Sequence, residues 1–263
     1  MKSKILSIVG SFLIALLLSQ CSVSVPAVQP TSTATHLPVE SHPTIVSLTF
    51  DDGNADNFGI AALFTEYGLH GTFYIPSGLV GSGGHMTWEQ LTTLQADGNE
   101  IGGHTLNHQK LEGLDTEALR HQICDDRQNL IAHGFNPVSF AYPFGTYDIH
   151  VQQMVRDCSY LDARSVVGGT ETTPPSDPYA LRALPYIVSD TTFDKLRKYV
   201  SNSFKGGDDW VILIFHHVCD SCDFFSVKPD VMNEFIPWLA QQQDLEHVRV
   251  MTVGEVISHY VKK

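Results

Sequence analysis

The sequence IVSLTFDDG, residues 45–53, joins a short apolar run to two adjacent acids and a glycine. β-Branched and aromatic residues are prominent in residues 45–50, which is typical of a buried strand. Successive strand residues point to opposite sides, so Asp51 and Asp52 at the end of this strand can take different roles. One carboxylate can bind a cation while its neighbour stays free to accept a proton.

A second motif, HTLNH at residues 104–108, contains the histidine pair His104 and His108. This spacing lets both imidazoles converge on one ion in a helical turn or a tight loop. One aspartate and two histidines leave coordination positions open, which is how a hydrolytic metal site is built. Each motif alone is common in turns or on surfaces, and their order at successive strand ends is what favours a site.

Strands and helices alternate along the chain. Strands are predicted at residues 45–50, 71–75, 100–103, 138–141, 161–167, 211–215 and 248–251. Helices are predicted at residues 58–67, 87–96, 115–133, 148–156, 192–204, 231–243 and 253–260. This alternation implies a parallel sheet with crossover helices, in an α/β barrel or an open sheet. The charged motifs follow the C-terminal ends of strands, where both folds build their sites.

The N-terminus is predicted to be a targeting segment. Lys2 and Lys4 precede an apolar run at residues 5–18 that suits a signal peptide, residues 1–20, and is short for a membrane span. LLSQC at residues 17–21 resembles a bacterial lipoprotein box, in which Cys21 would carry lipid. Gln20 departs from the small residue expected there, so ordinary secretion and an uncleaved anchor stay open. Export to the extracellular space or the cell envelope is the common expectation.

Residues 21–43 are rich in Ser, Thr and Pro and are predicted to be a disordered linker. The folded domain is then expected at residues 44–263, long enough for one sizeable core. The formal net charge of −13 argues against a nucleic-acid partner, because a phosphate backbone rewards a basic surface.

Four cysteines remain after Cys21, and an exported protein can oxidise them in three possible pairings. Cys219 and Cys222 are close enough for a local disulfide, half of a zinc knuckle or a redox pair. A zinc knuckle needs a second close pair, whereas Cys124 and Cys158 are far apart in sequence. We therefore expect the disulfides 219–222 and 124–158.

Four segments resemble, in order, the motifs of the polysaccharide deacetylases, the NodB-homology group or carbohydrate esterase family 4. They are TFDDG at residues 49–53, GNEIGGHTLNH at 98–108, YPFG at 142–145 and LIFH at 213–216. The resemblance covers nearly all of residues 44–260. It implies a single-domain α/β fold, a distorted (β/α) barrel of seven or eight strands. It also implies one divalent metal ion, usually zinc, with cobalt or manganese as alternatives.

The resemblance also implies a role for individual residues. The metal ligands would be Asp52, His104 and His108, the catalytic base Asp51 and the catalytic acid His216. A metal would polarise the acetyl carbonyl and lower the pKa of water, Asp51 would take a proton, and His216 would protonate the leaving amine. The neighbouring histidine, His217, would point the other way and be structural.

The segment Tyr142, Pro143 and Phe144 is expected to line the substrate groove, with the backbone N–H near Phe144 stabilising an oxyanion. The family usually has an arginine two residues before this proline, where it orients the base, and here that position is Ala141. Arg164 or Arg182 is expected to supply the charge instead. The Asp and Trp of the family's fourth motif are not recognisable, although residues 161–164 stand roughly where that motif should be.

These features predict an exported hydrolase that removes N-acetyl groups from an amino-sugar polysaccharide and releases acetate. Peptidoglycan, a chitin-like polymer and an exopolysaccharide all fit as the substrate. Two alternatives stay open: an O-acetyl esterase acting on xylan or another glycan, and a non-catalytic wall-binding domain. No protein partner is implied, and membrane contact is expected only through the N-terminal lipid or signal anchor.

Overall fold

Strands and helices alternate through the computed structural model, which describes residues 43–204 and 209–260. The strands are β1 (Thr44–Phe50), β2 (Thr72–Ile75), β3 (Glu100–Gly103), β4 (Ser139–Ala141), β5 (Asp162–Gly168), β6 (Glu171–Thr172), β7 (Leu181–Ala183), β8 (Asp209–Phe215), β9 (His217–Val218), β10 (Ser226–Val227) and β11 (Val248–Val250). The helices are α1 (Ile60–Tyr67), α2 (Trp88–Ala96), α3 (Thr116–Ala132), α4 (Ile149–Asp157), α5 (Phe193–Ser201), α6 (Pro229–Asp244) and α7 (Val253–Tyr260). Every predicted strand and helix is present, with small differences at the ends.

Three predictions fall outside the described residues: the signal peptide at 1–20, lipid on Cys21, and the linker at 21–43 apart from Pro43. The first strand begins at Thr44. Across the described ranges, no helix has the length and apolar character needed to cross a membrane.

The large sheet curls into a nearly closed barrel. Seven strands are parallel neighbours in the order β8-β1-β2-β3-β4-β5-β7. Two backbone hydrogen bonds, from Leu184 N–H to Ile212 C=O and from Ile187 N–H to Ile214 C=O, link the segment after β7 to β8. The short β6 pairs antiparallel with β8, and β11 pairs with the start of β1. The predicted distorted (β/α) barrel is therefore confirmed.

Strand β1 is buried along its whole length because helices cover one face and the barrel interior lies on the other. The main hydrophobic core, which includes residues of α1 and α6, takes Val46, Leu48 and Phe50. The alternate residue Ser47 accepts a hydrogen bond from the indole of Trp210 in β8, at 2.9 Å. Strand alternation then places Asp51 on the interior side, at the open end of the barrel.

Both expected disulfides are present. Cys124 in α3 is bonded to Cys158 at the end of α4, at a sequence separation of 34. Cys219 is bonded to Cys222 in the loop between β9 and β10. The strands β6, β7, β9 and β10 were missed by the sequence reading, because two or three residues are too few to establish a period.

Candidate metal and catalytic site

Asp51 and His216 are neighbours at the C-terminal ends of β1 and β8. The two strands pair in register up to Phe50 and Phe215, so the next residue on each strand lies beside its counterpart. The distance from Asp51 Oδ2 to His216 Nε2 is 3.9 Å. The two candidate proton-transfer groups therefore share one end of the barrel.

Arg164 on β5 binds Asp51 inside the barrel. Its Nη2 donates to both carboxylate oxygens of Asp51 at 2.6 Å, and both side chains are buried. The guanidinium also lies 5.2 Å from the centre of the Tyr74 ring. A buried guanidinium needs a partner of opposite charge, and this contact holds the Asp51 carboxylate in one orientation.

The strand register explains how Arg164 can replace the arginine missing at Ala141. The Cα atoms of Ala141 and Arg164 are direct partners in the β4–β5 pairing. An arginine at either position therefore starts from the same level of the barrel. Arg182 was the other candidate, and that alternative is wrong. Its backbone N–H donates to the carboxylate of Glu171, and its Nη2 lies 3.6 Å from the same carboxylate.

Asp52, His104 and His108 form a cluster whose potential ligand atoms all lie within 4.8 Å of one another. Asp52 Oδ1 is 3.3 Å from His104 Nε2 and 3.2 Å from His108 Nε2. Both Asp52 and His108 have positive φ, 70° and 53°, a conformation that costs about 1–3 kcal/mol for residues with a side chain. These backbone conformations lower the stability of the fold, and they bring the three groups together.

The hydrogen bonds and charges of this cluster suit a divalent cation. His104 Nδ1 is 2.8 Å from the carbonyl oxygen of Ala141, which can only accept, so Nδ1 carries the proton and Nε2 faces Asp52. Asp52 Oδ1 is buried with no hydrogen-bond partner within the described part of the chain. An oxygen and two imidazole nitrogens form an ordinary zinc ligand set. The residues therefore fit the metal that the sequence implied.

The pKa shifts in the cluster follow from its burial and its charges. Burial alone would raise the pKa of Asp52, but the adjoining imidazole of His104 and the positive charge that both histidines can carry hold that pKa well below its usual range. Burial and the charge of His104 lower the pKa of His108 to about 4. Asp52 is therefore an anion and His108 a neutral imidazole at neutral pH, the forms that bind a metal.

His216 lies between two aromatic rings. The centre of its ring is 5.8 Å from that of Tyr186 and 5.3 Å from that of Phe225. Burial lowers the pKa of His216, and its Nδ1 finds no hydrogen-bond partner in residues 43–204 and 209–260. The side-chain amides of Asn54 and Asn57 both donate to its backbone carbonyl at 2.9 Å, which fixes the end of the strand.

The neighbouring histidine, His217, faces away from the pocket, as strand alternation requires. Its Nδ1 is 2.7 Å from Asp56 Oδ2, and Asp56 Oδ1 accepts from the backbone N–H of Val218 at 3.3 Å. His217 therefore anchors the chain after β8 and does not line the pocket.

A pocket of about 160 Å³ joins these groups. Its lining comprises Asp51, Asp52, His104, His108, Tyr142, Phe144, Gly145, Val166, Tyr186, His216 and Phe225. Phe144 has a φ of 59° and its ring centre lies 4.7 Å from that of His108. Tyr142 is buried and donates to the Tyr179 carbonyl at 3.0 Å, while Pro143 is buried in the turn and is not part of the lining.

Three pocket residues were missed by the sequence reading: Val166, Tyr186 and Phe225. Tyr186 follows β7, a strand too short to recognise, and Phe225 lies in the cysteine loop, which carried no chemical motif. Val166 comes two residues after Arg164 on β5 and so lies on the same side of the strand. Assigning the inward-facing residues of β5 would have identified it as a candidate pocket residue.

Comparisons with known proteins give the family context of this geometry. Residues 39–162 match the family model described as "Polysaccharide deacetylase". YxkH of Bacillus subtilis, whose name describes a polysaccharide deacetylase, is 30% identical over 106 residues, 39% of this chain and 38% of the relative. Peptidoglycan-N-acetylmuramic acid deacetylase PdaC of the same organism is 30% identical over 129 residues, 47% of this chain and 27% of the relative. The matched region spans less than half the length of these curated relatives.

A solved structure shares the fold. A family 4 acetyl xylan esterase from Clostridium thermocellum, in complex with a cobalt ion, superposes with a TM-score of 0.57 at 19% identity. The match covers 82% of this chain and 91% of that one. At this identity the likeness concerns the barrel architecture, which extends beyond the segment matched by the family model.

Proposed function

We propose that the chain carries a polysaccharide deacetylase domain of the NodB type and is an exported, metal-dependent hydrolase that removes N-acetyl groups from an amino-sugar polysaccharide. One observation carries the proposal. A buried Arg164 holds Asp51 apart from the Asp52, His104 and His108 cluster, while all of these acids and histidines share one pocket with His216.

Asp52, His104 and His108 would hold the metal ion. A divalent ion bound there supplies Lewis-acid chemistry, because it polarises the acetyl carbonyl and lowers the pKa of water. Zinc is the first metal to test, and cobalt and manganese are the alternatives.

Asp51 is the proposed general base. Its two carboxylate oxygens both accept from Arg164, which fixes the position of the group. In the reaction, Asp51 accepts a proton from water as the water oxygen attacks the acetyl carbon. The C–N bond then breaks, acetate leaves, and the amino sugar takes a proton from His216.

The pocket walls are proposed to select a small acyl group. Tyr142, Phe144, Val166 and Phe225 present apolar surface beside the charged cluster, and the enclosed volume is about 160 Å³. An acetyl methyl fits against such surface, whereas the sugar ring stays outside. The backbone N–H of Phe144 is the proposed donor to the negative charge that develops on the acetyl oxygen.

Peptidoglycan is the first glycan we propose, because PdaC, a relative at 30% identity over 129 residues, is named for N-acetylmuramic acid of peptidoglycan. Chitin-like polymers and exopolysaccharides come next. The apolar run at residues 5–18 supports the proposal of export to the cell envelope.

Hydrolysis of O-acetyl esters is a second candidate, and the surroundings of His216 favour it. Burial lowers the pKa of His216, and across the described residues no group holds a proton on its Nδ1. A weakly protonated histidine is a poorer donor to an amine, whereas an alcohol leaves an ester with less need for a proton.

The test is acetate release from a panel of acetylated glycans, with zinc, cobalt or manganese supplied. The panel contains peptidoglycan, chitin oligomers and acetylated xylan. We expect release from an N-acetylated glycan and its loss in His216→Asn. Retained ester hydrolysis in that variant, with amide hydrolysis lost, would favour the second candidate. Glycan binding without acetate release from any substrate would point to a non-catalytic wall-binding domain.

A further inference from the structure

The loop at residues 216–227 places two phenylalanines beside the pocket. The ring of Phe225 lines the pocket, packed 5.3 Å from both His216 and Tyr186. The ring of Phe224 stands edge-on to that of Phe225 at 5.0 Å and is 65% exposed. Phe224 therefore extends the aromatic pocket wall outward into solvent.

This aromatic loop, residues 216–227, is held by contacts along its length. Cys219 and Cys222 are bonded, and Cys219 N–H donates to the Val227 carbonyl at 2.9 Å. Phe225 N–H donates to the Asp223 carboxylate at 2.8 Å. The carbonyl of Phe224 accepts from Ser189 N–H at 2.9 Å, which ties the loop to a neighbouring segment. The exposed ring is thus presented on a fixed backbone.

The pocket itself is too small to explain how a polymer is bound. Its volume of about 160 Å³ falls below the roughly 300–1,000 Å³ of sites that enclose a drug-sized ligand. The sugars next to the reacting one must therefore lie along the rim. Beside the pocket, Phe224 offers a second aromatic ring, at 83° to the Phe225 ring that lines the wall.

We propose that Phe224 forms a sugar-binding subsite, on which the apolar face of a pyranose ring next to the reacting sugar stacks. This inference rests on the proposed function. Pyranose rings present C–H groups on one face, and an aromatic face with its negative quadrupole attracts them. The Phe224 ring is 65% exposed and stands on a braced loop beside the pocket, where a polymer that passes the site can contact it.

The test compares a polymer with a small substrate in the zinc-loaded full-length protein. We measure kcat/KM for the N-acetylglucosamine tetramer and for 4-nitrophenyl acetate, and take their ratio. Phe224→Ala should lower this ratio roughly two- to tenfold, the size of one aromatic contact. Phe224→Trp should restore it. Leu245→Ala, another exposed hydrophobic residue outside the pocket lining, is the matched control.

Binding separates this inference from the proposed function. Calorimetry with the tetramer should give a weaker affinity for Phe224→Ala than for the wild type, whether or not acetate is released. Weaker binding without acetate release would sink the deacetylase proposal and leave the subsite standing. Acetate release with an unchanged ratio and unchanged affinity in Phe224→Ala would overturn the subsite, as would an equal loss on both substrates.

Discussion

The buried contact between Arg164 and Asp51, the proposed base, is the main residue-scale feature of the site. Arg164 has no solvent exposure, and Asp51 is its one carboxylate partner among the described residues. Removing either member leaves the other as a buried unpaired charge, which is strongly destabilising. The pair therefore contributes to folding as well as to the proposed catalysis.

Moving the arginine back to the neighbouring strand tests this interpretation. We expect Arg164→Ala to lower deacetylase activity by about 100-fold, because the base loses its fixed position. Adding Ala141→Arg to that variant should recover part of the loss, since residues 141 and 164 are register partners. Acetate release measures both, with Arg182→Ala as a control for loss of an arginine. Failure of the double variant, if it folds with the wild-type circular dichroism spectrum, would contradict the exchange.

Substitutions of the two adjacent acids should have different effects on metal binding. We expect Asp52→Asn to lose the ion, because Asp52 contacts both histidines of the cluster. Asp51→Asn should keep the ion and lose activity by about 100- to 10,000-fold, the usual contribution of a general base. Metal content by mass spectrometry after dialysis decides the assignment. Loss of the ion in Asp51→Asn and retention in Asp52→Asn would reverse the two roles.

The acids and the histidines could be predicted from the sequence alone because each follows a recognisable strand. It left Arg164 and Arg182 as alternatives, since the choice depends on which inward position of β5 lies opposite Asp51. That position depends on the pairing register of the strands in the folded barrel, which the sequence does not contain. Phe225 and Tyr186 could not be predicted as pocket residues for a related reason. Neither is adjacent to a motif of catalytic or metal-binding residues.

At the scale of elements, two helices are joined by a covalent bond. The disulfide between Cys124 and Cys158 links α3 to the end of α4, and both helices contribute to one hydrophobic cluster. A cross-link stabilises mainly by restricting the unfolded chain, and it does so more when the enclosed loop is longer. Its loop of 34 residues contrasts with 3 for Cys219 and Cys222.

This contrast gives an element-scale expectation. Replacing both Cys124 and Cys158 by Ser should lower the free energy of unfolding by about 3 kcal/mol, measured by urea titration. The matched double replacement of Cys219 and Cys222 should cost much less global stability, because its loop is short. Equal losses in the two double variants would contradict the loop-length argument and indicate that native packing around the sulfurs dominates.

At the scale of the whole molecule, several carboxyl groups are buried beneath the site. Asp126 is fully buried, accepts from Ser77 N–H at 3.0 Å and from the Tyr160 hydroxyl at 3.3 Å. Burial raises its pKa to about 6. Burial also raises the pKa values of Glu100 and Asp162, which lie on β3 and β5. The folded barrel therefore binds protons that the unfolded chain releases.

The sign of this linkage determines how stability varies with pH. An unfolded aspartate has a pKa of about 3.9, and Asp126 in the folded protein about 6. The folded state holds more protons between these values, so the contribution of Asp126 is fully present below about pH 4 and is lost as pH rises towards 6. We expect Asp126→Asn to flatten the fall in unfolding free energy over this range. An unchanged slope in urea titrations at several pH values would contradict the assignment.

The overall architecture was accessible from the alternation of strands and helices, because each helical period follows an apolar strand. Whether the sheet closes was not accessible from that pattern, which left the barrel and the open sheet as alternatives. The closure rests on two backbone hydrogen bonds, from Leu184 and Ile187 to β8. Backbone hydrogen bonds leave little mark on side-chain identity, so a single sequence carries almost no trace of them.

The exchange of an arginine between β4 and β5 also bears on how relatives of this chain are found. A text pattern that demands arginine two positions before the proline rejects this chain, although its guanidinium reaches the same carboxylate. A search that asks instead for a guanidinium within hydrogen-bonding distance of the first acid after β1 accepts both arrangements. Proteins classified as inactive because they lack arginine at that position are worth re-examining with such a structure-based search.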